Sequence, residues 1–480
     1  MIDAQRLFCD QALEGQLPPS LTGISRDSRR VAPGAAWVAM GAPAAQPEHA
    51  AQALRAGAAT IISEQQLPGV PAVQMVRVSH ARWTFARASA ALLGVDRDCP
   101  PLLGVTGTKG KSTVVHCAWW GMGSGAARVG TIGWHDGIEE RPNPQTTPPP
   151  DELHGFLAGL APGCQGVALE VSSHGCDQQR LAGLHLRGLV WTGLGHDHLD
   201  YHGSAAAYLT AKLRAFRWLE HDGVAIINAD DATGYVATHA ARVAGARTIS
   251  LGFGDQSVGA TMRARLIREA NGYRLVMDDA SYRLPALLPG DYNAWNTAAG
   301  ALLAEAAGVP LRTALGRLAA MPAVPGRMEL LALGPATYVD YAHTPESLAA
   351  ALGAVRQAHP GRRLGIVFGC GGDRDRSKRA PMGRTAASAD VVVITTDNSR
   401  SEAPQAIADD ILSGMAERSG ALVELDRGAA IVLARRLVGP DGLVVVAGKG
   451  HERTQDIQGR IQPWDDRAFV RQLAQPGGRQ

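Results

Sequence analysis

The segment Leu102-Leu103-Gly104-Val105-Thr106-Gly107-Thr108-Lys109-Gly110-Lys111-Ser112-Thr113 constrains this chain more than any other. Its apolar start reads as a buried strand, Gly107 and Gly110 let the backbone turn with its N–H groups inward, and Lys111-Ser112-Thr113 opens a helix. A turn of that kind surrounds one anion with amide dipoles, a helix N-terminus and the Lys111 ammonium, which suits phosphate. Gly107, Thr108, Lys109, Gly110, Lys111, Ser112 and Thr113 are therefore the expected phosphate contacts, and the Ser112 hydroxyl suits Mg²⁺. Gly104 stands one residue too far from Gly110 for the general G-x-x-x-x-G-K spacing. Alone, the loop specifies a nucleotide and no reaction.

At 480 residues the chain exceeds what one core usually organises, and its length favours about three domains. Short apolar runs, WVAM and AATIIS, alternate with Ala-rich stretches up to about residue 94, and the paired prolines of DRDCPP (96–101) form the first linker. Beyond it, GVALEVSS, LRGLVWTGL and GVAIINAD alternate with helical stretches, the pattern of a mainly parallel sheet covered on both faces. After PAVPGRMEL the alternation resumes with ATYVDYA, RLGIVFGC, DVVVITTD and GLVVVAGKG, a third, Rossmann-like block. The expected fold class is thus α/β in three domains, 1–97, 98–323 and 324–480, with a phosphate-loop core in the middle one.

With 45% hydrophobic residues, 19% charged and a net charge of +2, the chain has the composition of a soluble globular protein and offers no basic track for nucleic acid or membrane. Its six cysteines are scattered without a C-x-x-C pair, so neither a zinc ribbon nor a disulfide framework is expected. No apolar run is long enough to span a bilayer, so a cytoplasmic protein is expected, with disorder confined to Pro476–Gln480.

Glu170 ends the strand of GVALEVSS, at the sheet edge where ligands collect in open α/β folds, and reads as an Mg²⁺ ligand or as a capping carboxylate for the next turn. GHDHLDYHG gathers His196, Asp197, His198, Asp200 and His202, a density that suggests metal or phosphate contact, although a zinc site would lack thiolates. Lys212, in the Ala-rich stretch YLTAKLRAF, reads by pattern as a snorkelling surface residue. In the third block, Arg374, Arg400 and Lys449 lie near strand ends and are expected to converge on an anionic group.

TGTKGKST, TTP, EVSSHG, DHLDYHG, VPGRME, VDYAHTP, GCGGDRD and AGKGHE occur in the order found in Mur ligases. From DSRRVAPG to HERTQ the chain resembles that family, most closely its members that add meso-diaminopimelate during peptidoglycan precursor synthesis. The resemblance implies an N-terminal domain for a UDP-sugar, a central ATPase and a C-terminal amino-acid domain; a monomer is expected, and charge and hydropathy give no reason to expect nucleic-acid or membrane partners. ATP would phosphorylate the D-glutamyl γ-carboxylate of a UDP-muramoyl dipeptide, and the amine of diaminopimelate would displace the phosphate.

Lys212 falls where the family carries a lysine carbamylated by carbon dioxide, ligating a second Mg²⁺ with His198, while Ser112 and Glu170 correspond to ligands of the first. Catalysis would thus rest on Lys111, Glu170, His198 and Lys212. Thr146, Thr147, Ser172, Gln178 and Arg180, with Ser28 from the first domain, match positions for the UDP-substrate. Asn293 and Arg327 match ATP contacts, and Asp340 and His343 organise the hinge side. Arg374, Asp397, Asn398, Ser399, Arg400, Gly448 and Glu452 match the amino-acid positions.

Two departures stand out. The family's Asp-Asn-Pro-Arg reads Asp-Asn-Ser-Arg here, so Ser399 loses proline's fixed φ and is expected to loosen its loop. In the first domain an Asp-Gly-containing segment is replaced by GAPAAQPEHAAQA. These leave room for a ligase with another amino acid, such as lysine, or a specialised acceptor. A non-catalytic nucleotide-binding module is the other alternative; the set Lys111, Ser112, Glu170, His198 and Lys212 argues against it.

Overall fold

The structure, a computed structural model, describes residues 2–8, 13–142, 145–278, 280–415 and 420–474. Pro476–Gln480, where disorder was expected, lies outside them. The chain divides into two compact units: Met1–Arg265, Met277–Ala280 and Ala299–Ala314 form the first, and Leu266–Val276, Ser281–Ala298 and Leu315–Gln480 the second.

The first unit holds two larger sheets and a two-stranded pair, Ile2–Asp3 with Ser20–Leu21. The N-terminal one orders its strands Leu13–Glu14, Met75–Val78, Thr60–Ser63, Ala36–Val38 and Ile24–Ser25, all parallel except the first. Its own apolar clusters form around Phe85 and Ile62, and around Trp37 and Ile61. The second is part of an eleven-stranded sheet whose central run is Ala127–Gly130, Val167–Glu170, Leu102–Thr106, Leu186–Trp191, Leu219–Asn228 and Arg247–Gly252, these six all parallel. Strands buried on both faces require nearly continuous apolar runs, which is why these segments were legible in the sequence. Leu103, Leu189 and Ile226 are fully buried, and burying each such side chain stabilises the fold by ~1.5–3 kcal/mol relative to exposure.

Parallel register fixes where the chemistry lies. Val105 pairs with Glu170 on one side and with Val190 on the other, so three carboxyl ends finish side by side. The chain leaves Thr106 toward one edge of the sheet and leaves Glu170 toward the other, which opens a crevice between those two strand ends. The stretch read as one helix through Lys212 and Phe216 tightens at Arg214–Trp218 into a 3₁₀ turn, after the α-helix Ala205–Leu213.

In the second unit six strands follow the order Glu329–Leu333, Ala336–Asp340, Leu443–Ala447, Leu364–Phe368, Val391–Ile394 and Leu422–Val423. Only the first pair is antiparallel. Thr344 caps the helix Pro345–Ala358 through a reciprocal pair of bonds with Ser347, and Pro345 occupies its first turn. A hairpin, Thr454–Ile457 with Arg460–Pro463, had no signature in the sequence reading.

Arg427 and Asp466 are 2% and 0% exposed, and they pair at 2.7 and 2.8 Å. The same guanidinium donates to the carbonyls of Thr396 and Ala447, tying two strand ends to the helix Asp466–Leu473. Arg427→Ala strands a buried carboxylate, so it is expected to destabilise the second unit by ~3–5 kcal/mol, read as a lower urea midpoint.

Candidate active site

Gly107 and Gly110 take φ of +137° and +87°, backbone that side chains other than glycine rarely adopt. A Cβ on Gly107 would overlap Thr192 Oγ1 and stand 2.9 Å from the Gly193 carbonyl. The loop is stitched to that neighbouring strand end: Thr108 N donates to Gly193 O at 2.9 Å, Gly195 N to Thr108 Oγ1 at 2.8 Å and Thr192 Oγ1 to Lys109 O at 2.6 Å. The helix Lys111–Met122 starts directly behind it, and Lys111 Nζ donates to the carbonyls of Gly107 and Thr108. Backbone amides, a helix N-terminus and an ammonium thus meet as expected of a phosphate site.

Lys212 corrects the surface reading. It is 1% exposed, with Nζ 2.6 Å from Gly107 O and 4.6 Å from the centre of the Tyr208 ring. A helix pattern cannot report which element covers a face; here the phosphate loop covers it. Burial, reinforced by the Lys111 charge, pushes the amine well below its ordinary range, toward the neutral form that is a nucleophile. Tyr208 in turn stands 3.2 Å from Thr108 Oγ1.

His198 and His202 of the GHDHLDYHG segment meet His174 and two tyrosines as packed rings. His174 lies 5.0 Å from His198, 5.6 Å from His202 and 4.1 Å from Tyr201, centre to centre, and His202 lies 5.2 Å from Tyr208. Partial desolvation, with Lys111 and Lys212 nearby, holds His198 below its usual range. Among the described residues no three His, Cys, Asp or Glu side chains form a cage of their own.

Glu170, 2% exposed, sits across the crevice from the loop. Its Oε1 accepts Thr131 N at 2.8 Å, and its Oε2 lies 3.2 Å from Thr131 Oγ1, itself 3.0 Å from Thr146 Oγ1. A methyl group on Gly130 would come within 2.5 Å of Oε1, so the carboxylate is closely seated. Thr147 Oγ1 donates to Glu170 O and accepts from Ser172 N, while Arg180 donates to Thr147 O and to Gln145. Gln178 Oε1 accepts from Arg180 at 2.8 Å. Glu170, Thr146, Thr147, Ser172, Gln178 and Arg180 therefore form one continuous edge.

That edge borders a cleft of about 320 Å³ lined by Arg26, Gly41, Arg82, Gln145, Gln178 and Arg180 among others. Arg26 also reaches Asp151 at 2.8 Å and Glu152 at 3.3 Å. Burial, with the like charges of Arg26 and Arg82, lowers Arg180 from its ordinary value. Arg26 and Arg82 escaped the sequence reading, because convergence of positions 26, 82 and 180 exists only in the folded chain. The Arg-Asp-Ser-Arg-Arg cluster was the one available signal. Ser28, also expected to reach the UDP-substrate, donates its hydroxyl to Gln52 at 2.7 Å.

In the second unit Asp397, Asn398, Ser399, Arg400, Gly448 and Glu452 come together. Gly448 has φ +110° and no room for a side chain, since a Cβ would lie 2.5 Å from Asp397 Oδ2. Asn398 Nδ2 donates to Glu452 at 2.9 Å. Gly372 N donates to Asn398 O and Arg400 Nη1 to Gly372 O, which brings the Arg374 loop alongside. Glu402, held down to about 2 by Arg379, accepts Asp373 N and fixes that loop further. Lys449 is fully buried, and its Nζ donates to Glu452 at 2.9 Å and to Asn398 Oδ1 at 3.1 Å. Asn293 donates to Pro289 O at 2.7 Å, Arg327 stacks 4.5 Å over Tyr341, and Asp340 accepts Met328 N and Ala342 N at 2.8 Å each. His343 Nδ1 lies 2.8 Å from Tyr341 O.

Residues 105–304 match the Mur ligase middle domain and 326–450 the Mur ligase glutamate ligase domain. A Brucella melitensis biotype 1 protein named UDP-N-acetylmuramoyl-L-alanyl-D-glutamate–2,6-diaminopimelate ligase is 39% identical over 461 residues, covering 94% of this chain and 93% of its own. The chain belongs to the Mur ligase family. A Rhizobium meliloti relative of the same name is 37% identical over 94% of this chain and 93% of its own. A solved structure with that name superposes with a TM-score of 0.70 at 32% identity, covering 98% of each chain. This Mur ligase is accordingly an ATP-dependent, amide-bond-forming enzyme.

The donor set of this Mur ligase fits Mg²⁺. Ser112 and Glu170, 6% and 2% exposed, are hard oxygen donors on opposite sides of the crevice, the type that Mg²⁺ takes alongside substrate phosphates. Because φ and sterics both exclude a side chain at position 107, Gly107→Ala is expected to weaken ADP binding by at least about tenfold, measured by calorimetry, through loss of the loop's backbone contacts.

Proposed function

We propose that this enzyme joins meso-diaminopimelate to UDP-N-acetylmuramoyl-L-alanyl-D-glutamate at the expense of ATP, as a cytoplasmic monomer in peptidoglycan precursor synthesis. The observation that carries the reaction type is the alignment of the phosphate loop, Glu170 and the Thr146–Thr147 turn along one sheet edge beside an arginine-lined cleft. The substrates follow from the relatives that share almost the whole chain.

A γ-carboxylate oxygen of the D-glutamyl residue attacks the γ-phosphorus of ATP, the bond to ADP breaks, and an acyl phosphate forms. The amine of diaminopimelate then adds to the activated carbonyl carbon, loses a proton and expels phosphate. Lys111 and the loop amides offset charge on the transferred phosphoryl group. Arg180, with Gln178, Ser172, Thr146 and Thr147, holds the acceptor, and Arg26 and Arg82 add positive charge for its anionic groups. Ser112 and Glu170 would hold one Mg²⁺, and His198 with carbamylated Lys212 a second; bound there, the ions neutralise phosphate charge. Burial, which with the Lys111 charge lowers the pKa of Lys212, supports carbamylation, since carbon dioxide reacts with the free base.

Arg374, Asp397, Asn398, Ser399, Arg400, Gly448 and Glu452 are assigned to diaminopimelate, with a guanidinium for the distal carboxylate that lysine lacks. Asn293 and Arg327 are assigned to ATP, and Asp340 with His343 to the hinge side. We assign residues 1–97, 98–323 and 324–480 to acceptor, ATP and amino-acid domains respectively.

Phosphate release is expected only when the UDP-muramoyl dipeptide and meso-diaminopimelate are both supplied. A ligation product from a mixed amino-acid pool whose mass carries lysine instead would overturn the assignment. Lys212→Ala is expected to lower turnover by at least ~100-fold, as loss of an active-site electrostatic group does, with partial recovery on adding a short-chain carboxylate. Normal turnover in that variant would remove the carbamate from the mechanism.

A further inference from the structure

Behind the strand end that grips the phosphate loop lies a second layer of side chains. Asn228 closes the strand Leu219–Asn228, and its Nδ2 donates to Thr192 O at 2.9 Å. Asp231, three residues on, accepts Leu194 N on Oδ2 at 3.2 Å and Thr233 N on Oδ1 at 2.9 Å. Thr233 Oγ1 in turn accepts Trp191 Nε1 at 3.0 Å. Thr192, Gly193 and Leu194 are thus held from behind by the turn that follows the next strand.

The fit is tight on both sides. Gly193 has φ +115°, and a Cβ there would stand 2.5 Å from Asp231 Oδ2, just as a Cβ on Gly107 would overlap Thr192. Three layers are therefore packed in contact, the phosphate loop, the Thr192–Gly195 turn and the Asn228–Asp231 turn, with the short side chains of Thr192, Asn228 and Asp231 filling the space between them. Each of those side chains is held by a hydrogen bond, so a shift in the third layer reaches Thr108 and Lys109 through the three bonds from Thr192, Gly193 and Gly195.

We propose that Asn228 and Asp231 are positioning residues for nucleotide binding, acting on the phosphate loop through the Thr192–Gly195 turn. The proposal rests on the loop's role in ATP binding and is independent of the acceptor and amino acid.

Calorimetric titration of the full chain with ADP, without the other substrates, is the test. Asn228→Ala is expected to weaken ADP by up to about tenfold, if the strain of the unpaired Thr192 O is relieved by movement of the turn that grips the loop. Thr192→Val, which removes the hydroxyl bonded to Lys109 O, is expected to weaken it by several-fold. The double variant should fall short of the product of the two effects by at least about threefold, since both act along one path. In steady-state assays the KM for ATP should rise in Asn228→Ala while the KM for the amino acid stays within about twofold. A purely structural role would lower the active fraction and leave both KM values unchanged.

Wild-type ADP affinity in Asn228→Ala, or strictly multiplicative effects in the double variant, would overturn the proposal. Should Asn228→Ala fold poorly, Asp231→Asn keeps the side-chain volume while weakening the acceptor of Leu194 N; unchanged ADP affinity there overturns it equally.

Discussion

The parallel pairing of Leu102–Thr106 with Val167–Glu170 and Leu186–Trp191 is the constraint on which the phosphate-loop crevice depends. A parallel ladder delivers all its carboxyl ends to one edge, and the register decides which residues become neighbours there. Had the strand bearing Glu170 slipped by one position, its carboxylate would face the opposite side of the sheet. Everything else at the site presupposes that alignment: the glycines that let backbones touch, Lys212 sealed beneath the loop, and the threonines that carry the edge toward Arg180.

Much of this fold was legible because its strands are buried on both faces and therefore announce themselves as short apolar runs ending in glycine or a polar residue. The phosphate loop, Glu170 and the strand ends of the second unit could be placed from that alone. What could not be read was tertiary cover. Lys212 lies on an Ala-rich helix whose pattern does not say what packs on it, and the answer is a loop 105 positions earlier. Arg26 and Arg82 share no local pattern with Arg180. The hairpin Thr454–Pro463 has mixed, half-exposed residues and no apolar alternation.

Two positions show how far residue type falls short of tertiary context. Lys449, at a strand end, is fully buried, and its Nζ donates to Glu452 at 2.9 Å and to Asn398 Oδ1 at 3.1 Å, as burial of an ammonium requires. Ser28 donates to Gln52, and Arg26, two positions before it, lines the cleft. In both cases the partner comes from a part of the chain that the local pattern does not name.

Ser399 carries a consequence of a different sort. It is fully buried, its Oγ accepts Gln458 N at 3.4 Å, and its neighbours Asn398 and Arg400 are tied to Asp456 through Asp456 N and O. Gln455 completes the tether by donating to Thr396 O and Asp397 O. The loop that proline would stiffen covalently is here stiffened by contact with the hairpin. A ring restrains its residue at every temperature, whereas a borrowed scaffold does so only while it stays docked. In this chain the order of Asp397–Arg400 therefore depends on the hairpin staying docked: fraying of residues 454–463 removes the contacts that hold the loop.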